Sequence, residues 1–166
     1  MIIVIVLVVI VVVGAVGAIA AISFYNFARS STSNLRLPHT ANIVNGLITV
    51  QPRNYTHYSI TVPGGATGIA IGGSFSVSGG TGNNIEVLVL DQSNYNNWQN
   101  AYQLSVIYNN WKSDYRLRTY YDSGQVTTGT IAASLSISGV YYLVYSNVPS
   151  TVTKNVQTTA YLYYFG

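Results

Sequence analysis

Ile131-Ala132-Ala133-Ser134-Leu135-Ser136-Ile137-Ser138, closed by Gly139, decides the fold class. Every odd position is apolar and every even one is Ser or Ala. Successive side chains of a strand point to opposite faces, so this stretch reads as a half-buried strand ending in a glycine turn. Tyr58, Ile60 and Val62 alternate in the same way with Ser59 and Thr61 before Pro63-Gly64-Gly65. Phe75 and Val77 alternate with Ser74, Ser76 and Ser78 before Gly79-Gly80.

Two further runs, Ile85–Leu90 (apolar but for Glu86) and Val140–Tyr145, show no alternation, which suits central strands of a packed sandwich. Val156–Phe165 is another strand candidate. Several short strands with frequent turn signals predict an all-β sandwich of antiparallel strands, GOLD- or immunoglobulin-like, over residues 43–166. One stretch breaks the pattern. Asp91-Gln92-Ser93-Asn94 offers cap residues and opens a short helix. Residues 101–118 then read as a long excursion between strands, and such loops often carry function.

Ahead of the sandwich, Met1–Ile22 holds only apolar residues, Ala and Gly, and the first charged side chain is Arg29. A helix needs about 20 such residues to span the hydrocarbon of a bilayer, and a helix is the element that satisfies its own backbone there. Phe24, Tyr25 and Phe27 follow at the interfacial position. Residues 1–29 are therefore expected to form one long hydrophobic helix, transmembrane or buried in a filament core, and 30–42 a polar stalk. Gly14 and Ala18, and Gly17 and Ala21, repeat small residues four apart, a spacing that lets another helix approach closely.

Charged residues are only 7% of the 166-residue chain, against about 25% in an average soluble domain. Ser, Thr, Asn, Gln, Gly and 15 Tyr take their place. The net charge of +3 is scattered, with a local group only at Lys112, Arg116 and Arg118, which argues against nucleic acid as a partner. The absence of cysteine removes disulfides and thiol chemistry.

The inventory for catalysis is small: Glu86, Asp91, Asp114, Asp122, His39 and His57. No Gly-x-Ser-x-Gly motif supports a triad, and no His-rich spacing supports a metal. No catalytic residue, metal or cofactor is assigned, and the chain is not expected to be an enzyme. Tyr102, Tyr108, Trp111 and Tyr115 form a candidate interface, since Tyr and Trp are favoured there; Tyr120 and Tyr121 fit either an interface or the core. Asn54-Tyr55-Thr56 is a glycosylation sequon, and Asn54 a candidate site for it.

Gly73-Ser74-Phe75-Ser76-Val77-Ser78-Gly79-Gly80, then Asn83-Asn84-Ile85-Glu86-Val87-Leu88-Val89-Leu90-Asp91, resembles the first half of a GOLD-like domain, the β-sandwich of the emp24/p24 proteins and their prokaryotic relatives. Gly139-Val140-Tyr141-Tyr142-Leu143-Val144-Tyr145-Ser146-Asn147, followed by Thr153-Lys154-Asn155-Val156-Gln157, is similar to that family's ending. The resemblance covers about residues 43–166 and implies a sandwich suited to protein–protein contact. The p24 proteins carry their anchor after the domain and have cysteines, so cargo sorting does not carry over. The overall architecture resembles archaeal type IV pilins, in which apolar helices pack in a filament core and sandwiches coat it.

The expectation is thus a structural subunit of an extracellular pilus-like filament, inserted in the membrane before assembly and then at the cell surface. Its partners would be copies of itself, with glycans as a further candidate. The alternative is a single-pass membrane-anchored GOLD-like binding module, or an accessory subunit of a membrane complex.

Overall fold

Strands form where the alternation is cleanest. The computed structural model describes residues 36–80, 82, 84–108 and 117–166, and for residues 106–108 the course of the backbone only. The elements are β1 (Pro38–Val50), β2 (Tyr55–Val62), β3 (Thr67–Ser78), β4 (Ile85–Asp91), α1 (Gln92–Tyr108), β5 (Tyr121–Val126), β6 (Thr128–Leu135), β7 (Gly139–Ser146) and β8 (Lys154–Phe165). They build two four-stranded sheets, β1-β8-β3-β6 and β2-β7-β4-β5, with antiparallel pairing throughout.

The antiparallel sandwich agrees with the sequence reading. Its strand order is more specific. Every connection but β4–α1–β5 carries the chain from one sheet to the other. That is the double Greek key order of an eight-stranded jelly roll. An immunoglobulin-type sandwich instead keeps its first two strands in one sheet, whereas β1 and β2 lie in different sheets here.

The core explains the two kinds of strand pattern. Ile131, Ala133 and Leu135 of β6 point inward beside Ile69, Ile71 and Phe75 of β3, facing Val87, Val89, Leu143 and Tyr145 across the sandwich. β4 and β7 are buried on both faces. Ile85, Val87 and Val89 face the other sheet, while Leu88, Leu90 and Val144 lie under α1 with Tyr95 and Trp98. A strand covered on both sides has no reason to alternate, which accounts for the apolar run Ile85–Leu90. Across the core, Tyr145 Oη donates to Thr158 Oγ1 at 2.7 Å, and Thr158 Oγ1 donates to Ser74 O at 3.1 Å. This buried chain of bonds ties the two sheets.

The compact β-unit is Leu37–Gly166, so it starts within the segment read as stalk. Pro38 opens β1, where the lack of an N–H costs least. From Pro38↔Phe165 to Val50↔Lys154, β1 pairs along β8, with a bulge between Asn42 and Val44. Leu37 and Gly166 exchange backbone hydrogen bonds at 3.1 and 3.2 Å just beyond it. Residues 38–42 are all exposed, so these positions are held by backbone pairing and carry no apolar signal.

α1 is also longer than the short helix expected. Asp91 caps it: Asn94 N donates to Asp91 Oδ1 at 2.8 Å. Tyr95, Trp98, Ala101 and Ser105 are buried at three- and four-residue steps, the spacing of one helical face. Because that face is aromatic and small rather than aliphatic, and is set among Asn and Gln, it reads as loop. The segment expected to form an N-terminal helix, with Gly14, Gly17, Ala18 and Ala21, lies outside the described residues. Among the described residues no helix is long and apolar enough to cross a membrane.

Candidate interaction surfaces

The outer face of the β2-β7-β4-β5 sheet is built around six rings. Tyr55 and His57 come from β2, Tyr142 from β7, and Tyr95, Trp98 and Tyr102 from α1. Tyr95 stacks on Tyr142 at 3.9 Å between centroids, and Trp98 stacks on Tyr102 at 5.9 Å. Tyr55 meets both Trp98 and Tyr102 edge-on, at 4.7 and 4.9 Å. His57 lies 5.2 Å from Tyr95. Edge-to-face and stacked pairs of this kind contribute about 0.5–1.5 kcal/mol each beyond their buried area.

Their polar tips are joined as well. Gln99 Nε2 donates to Tyr55 Oη at 2.8 Å and Tyr95 Oη at 2.9 Å. Tyr142 Oη donates to Gln92 Oε1 at 2.6 Å. Tyr102 Oη donates to Arg53 O at 3.2 Å. Burial pushes the Tyr95 and Tyr102 phenols above their ordinary range, with Tyr55 adding to the effect. The seam is therefore chiefly a fastening that holds α1 to the sheet.

Of the four residues read as a candidate interface, Tyr102 belongs to this seam and is half-buried. Tyr108 is the last residue of α1, with its side chain outside the described residues, and Trp111 and Tyr115 also lie outside them. Tyr120 and Tyr121 pack against the main core. His39, in β1, is exposed and stacks on Tyr164 at 4.9 Å. Asn54 is exposed just before β2, and its Oδ1 accepts from Tyr55 N at 2.8 Å.

On the same sheet lies Glu86, one of the few acids in the inventory above, to which no role was assigned. Glu86 pairs with Ser146 across the β4–β7 ladder. On its other side the β4–β5 ladder is irregular between Glu86 and Leu88. There Val87 N donates to Ser123 Oγ at 2.8 Å instead. Glu86 Oε2 and Ser146 Oγ are both buried and make no hydrogen bond. Burial pushes the Glu86 carboxyl up to about 7, the Asp122 carboxylate adds to this, and the nearby Ser146 hydroxyl opposes it.

The same end of the second sheet is pinned by Asn147, next to Ser146; its Nδ2 donates to Val50 O, Gln51 O and Val152 O at 3.2, 3.0 and 2.9 Å. Lys154 is fully buried, with Nζ donating to Gly79 O at 3.1 Å. Gly79 holds φ +107, and a side chain there would collide with Thr153 O. The backbone carbonyl can therefore approach the amine only from a glycine.

The outer face of the β1-β8-β3-β6 sheet is different in kind. The register aligns Asn45, Thr159, Ser74 and Thr130 in one row across all four strands, and Leu47, Gln157, Ser76 and Thr128 in the next. Ser74 Oγ and Thr159 Oγ1 are 3.4 Å apart within the first row. No Asp, Glu, Lys or Arg points from this face. The described charges are Arg36, Arg53 and Arg118 in connecting segments, Glu86, Asp91 and Asp122 on the other sheet, and Lys154 turned inward. The signal is visible in sequence as Ser74, Ser76 and Ser78 in β3 and Thr128, Thr130 and Ser134 in β6. Such a surface can hydrogen-bond in both directions at nearly every side chain and repels neither sign of charge.

Among the described residues no three His, Asp or Glu side chains come together as a metal site. No known family's model matches the chain, and no curated protein matches it.

Proposed function

We propose that this chain is a structural subunit of an extracellular pilus-like filament, with Met1–Ile22 packed among its own copies in the core and the β-sandwich outside. The observation that carries this reading is a sandwich with one whole face free of charge, attached to a segment with no polar side chain from Met1 to Ile22. Small residues four apart, at Gly14/Ala18 and Gly17/Ala21, support close helix packing in that core. The chain would enter the membrane first and reach the cell surface on assembly. We read the sandwich as GOLD-like on the strength of the two stretches quoted above. Exposed Asn54 is the position proposed to carry a glycan, and the assembly requires no catalysis.

A second reading is favoured by the half-exposed rings of the seam and by the GOLD-like stretches: a membrane-anchored binding module, or an accessory subunit of a membrane complex. Negative-stain microscopy of the full-length protein, sheared from cells without detergent, separates the two. Filaments built from this chain are expected. Particles that need detergent and never form filaments would overturn the subunit reading in favour of the module.

A further inference from the structure

We propose that Glu86 and Asp122 form a proton-operated latch on the edge strand β5: with a proton on Glu86 the middle of β5 lies closed on β4, and when that proton leaves, the two carboxylates push it open. The latch belongs to the β-unit itself and is independent of how the chain assembles.

The geometry begins with the ladder. β5 has β4 as its one neighbour in the sheet. Just outside its two ends, backbone bonds fasten the chain: Tyr120 N donates to Val89 O and Val77 N to Thr127 O, both at 2.8 Å. The middle is irregular. Glu86 and Leu88 are two residues apart on β4, while their partners Gln125 and Asp122 are three apart on β5. The extra residue makes a bulge, a feature that re-aims a strand and interrupts its pairing. Gly124 takes φ +58 there, and its N donates to Asp122 Oδ1 at 2.8 Å. Val87 N is left to donate to a side chain, Ser123 Oγ, at 2.8 Å. One hydroxyl thus stands where a ladder bond would be.

The two acids share the outer face of this stretch. Ile85 and Val87 face the core, so Glu86 between them points outward. Asp122 pairs with Leu88, which is also outward. Diagonal neighbours of this kind interact, and like charges between them repel. On the other side of Glu86 stands Ser146, and Glu86 Oε2 and Ser146 Oγ are both buried without a hydrogen bond. A buried carboxylate with no partner is costly, whereas a protonated carboxyl is not. Beyond Ser146 the row ends on Tyr55 of β2, whose hydroxyl is taken by Gln99. α1 contains no Asp, Glu, Lys or Arg, and Arg53 and Arg118 lie in connecting segments. Burial first, then Asp122, raise the Glu86 carboxyl to about 7, against the opposing Ser146 hydroxyl. Ionisation of Glu86 therefore puts two negative charges across the most weakly held part of the ladder. Lifting Asp122–Gln125 toward water relieves them, and the Val87–Ser123 bond is the first to break.

Amide exchange of the full-length protein in detergent micelles tests this, read as protection factors so that the intrinsic pH dependence of exchange cancels. Val87 N–H is the reporter, and Tyr120 and Val77 N–H are the references. Glu86 ionises near 7 when closed and near its ordinary 4.5 when open. Opening is thus suppressed below about pH 4.5, grows as pH rises to about 7, and then levels off. Protection of Val87 should fall on the order of a hundredfold between pH 5 and pH 8, while Tyr120 and Val77 hold theirs. Glu86→Gln should keep Val87 protected at both pH values. Asp122→Asn retains the acceptor for Gly124 and should shrink the fall without removing it. Because Asp122 is exposed, that variant is readable even where Glu86→Gln does not fold. A Val87 amide whose protection ignores pH would overturn the latch, as would an equal fall in Glu86→Gln. A fall in Asp122→Asn as large as in wild type would remove Asp122 from it. Equal losses at Tyr120 and Val77 would mean that the whole unit opens, and the latch would again be wrong.

Discussion

The two sheets of the sandwich have nearly the same inner faces and opposite outer ones. The β2-β7-β4-β5 sheet is covered by the chain's own helix, with Trp98 and Tyr95 buried over Leu88, Leu90 and Val144. Among the described residues the outer face of the β1-β8-β3-β6 sheet is bare, and its rows of Thr, Ser, Asn and Gln, with Leu47, are covered by no other element. A covered face calls for large side chains and can tolerate an ionisable group such as Glu86 at its margin. A bare face that must stay soluble usually takes charge, and this one does not. The difference therefore separates a surface whose partner is the chain's own helix from one that meets no partner among the described residues.

The covered face should break first. Trp98→Ala removes the ring that contacts both Tyr55 and Tyr102, and loss of a fully buried Trp costs about 3–5 kcal/mol. A thermal melt should show a large fall in Tm together with loss of helical signal. A fall in Tm with α1 intact would mean that the seam does not hold the helix.

Glu86 gives a smaller effect whose sign depends on pH. Burial pushes its carboxyl up to about 7 in the folded chain from an ordinary 4.5. Folding therefore favours the protonated form. The stabilisation is complete below about pH 4.5 and is lost as pH rises through about 7. A shift of this size corresponds to about 3 kcal/mol. Wild-type protein should melt lower at pH 8 than at pH 5, and Glu86→Gln should flatten that dependence and melt higher at pH 8. An unchanged pH profile in the variant would place the titrating group elsewhere.

The smallest effect belongs to the bare face. Ser134→Lys should change the stability of the unit by no more than about 0.5 kcal/mol, as exposed substitutions do. If it nevertheless reduces assembly, the two faces differ as argued. If it destabilises the fold itself, the face is part of the unit's own packing.

Most strands were legible because burial on one side leaves a mark every second residue, as at Ile131–Leu135. The central place of β4 and β7 was legible as well, in runs that do not alternate, though their cover by α1 was not. Two things were hidden. The start of β1 has no large apolar residue from Pro38 to Asn42 and is ordered through backbone pairing with β8, a partner about 120 residues away in sequence. The helix was hidden because its buried stripe is Tyr, Trp, Ala and Ser. Glu86 was placed correctly in a strand, but its unusual ionisation depends on Ser146 and Asp122, which only the sheet brings beside it. Strand order, finally, is a matter of which edges meet, and local periodicity carries no record of that.

The place of β8 between β1 and β3 has a consequence for how the molecule is made. β1 is an edge strand whose one neighbour in its sheet is β8. During synthesis it emerges first and its partner last, so the first sheet cannot close until Lys154–Phe165 has left the ribosome. Pairings between such distant segments fold slowly, and an unpaired edge is meanwhile open to wrong partners. The proline at the head of β1 and the bulge after Asn42 make it a poor template in that interval. Order of synthesis thus makes the emergence of β8 the step that commits the domain to its native state.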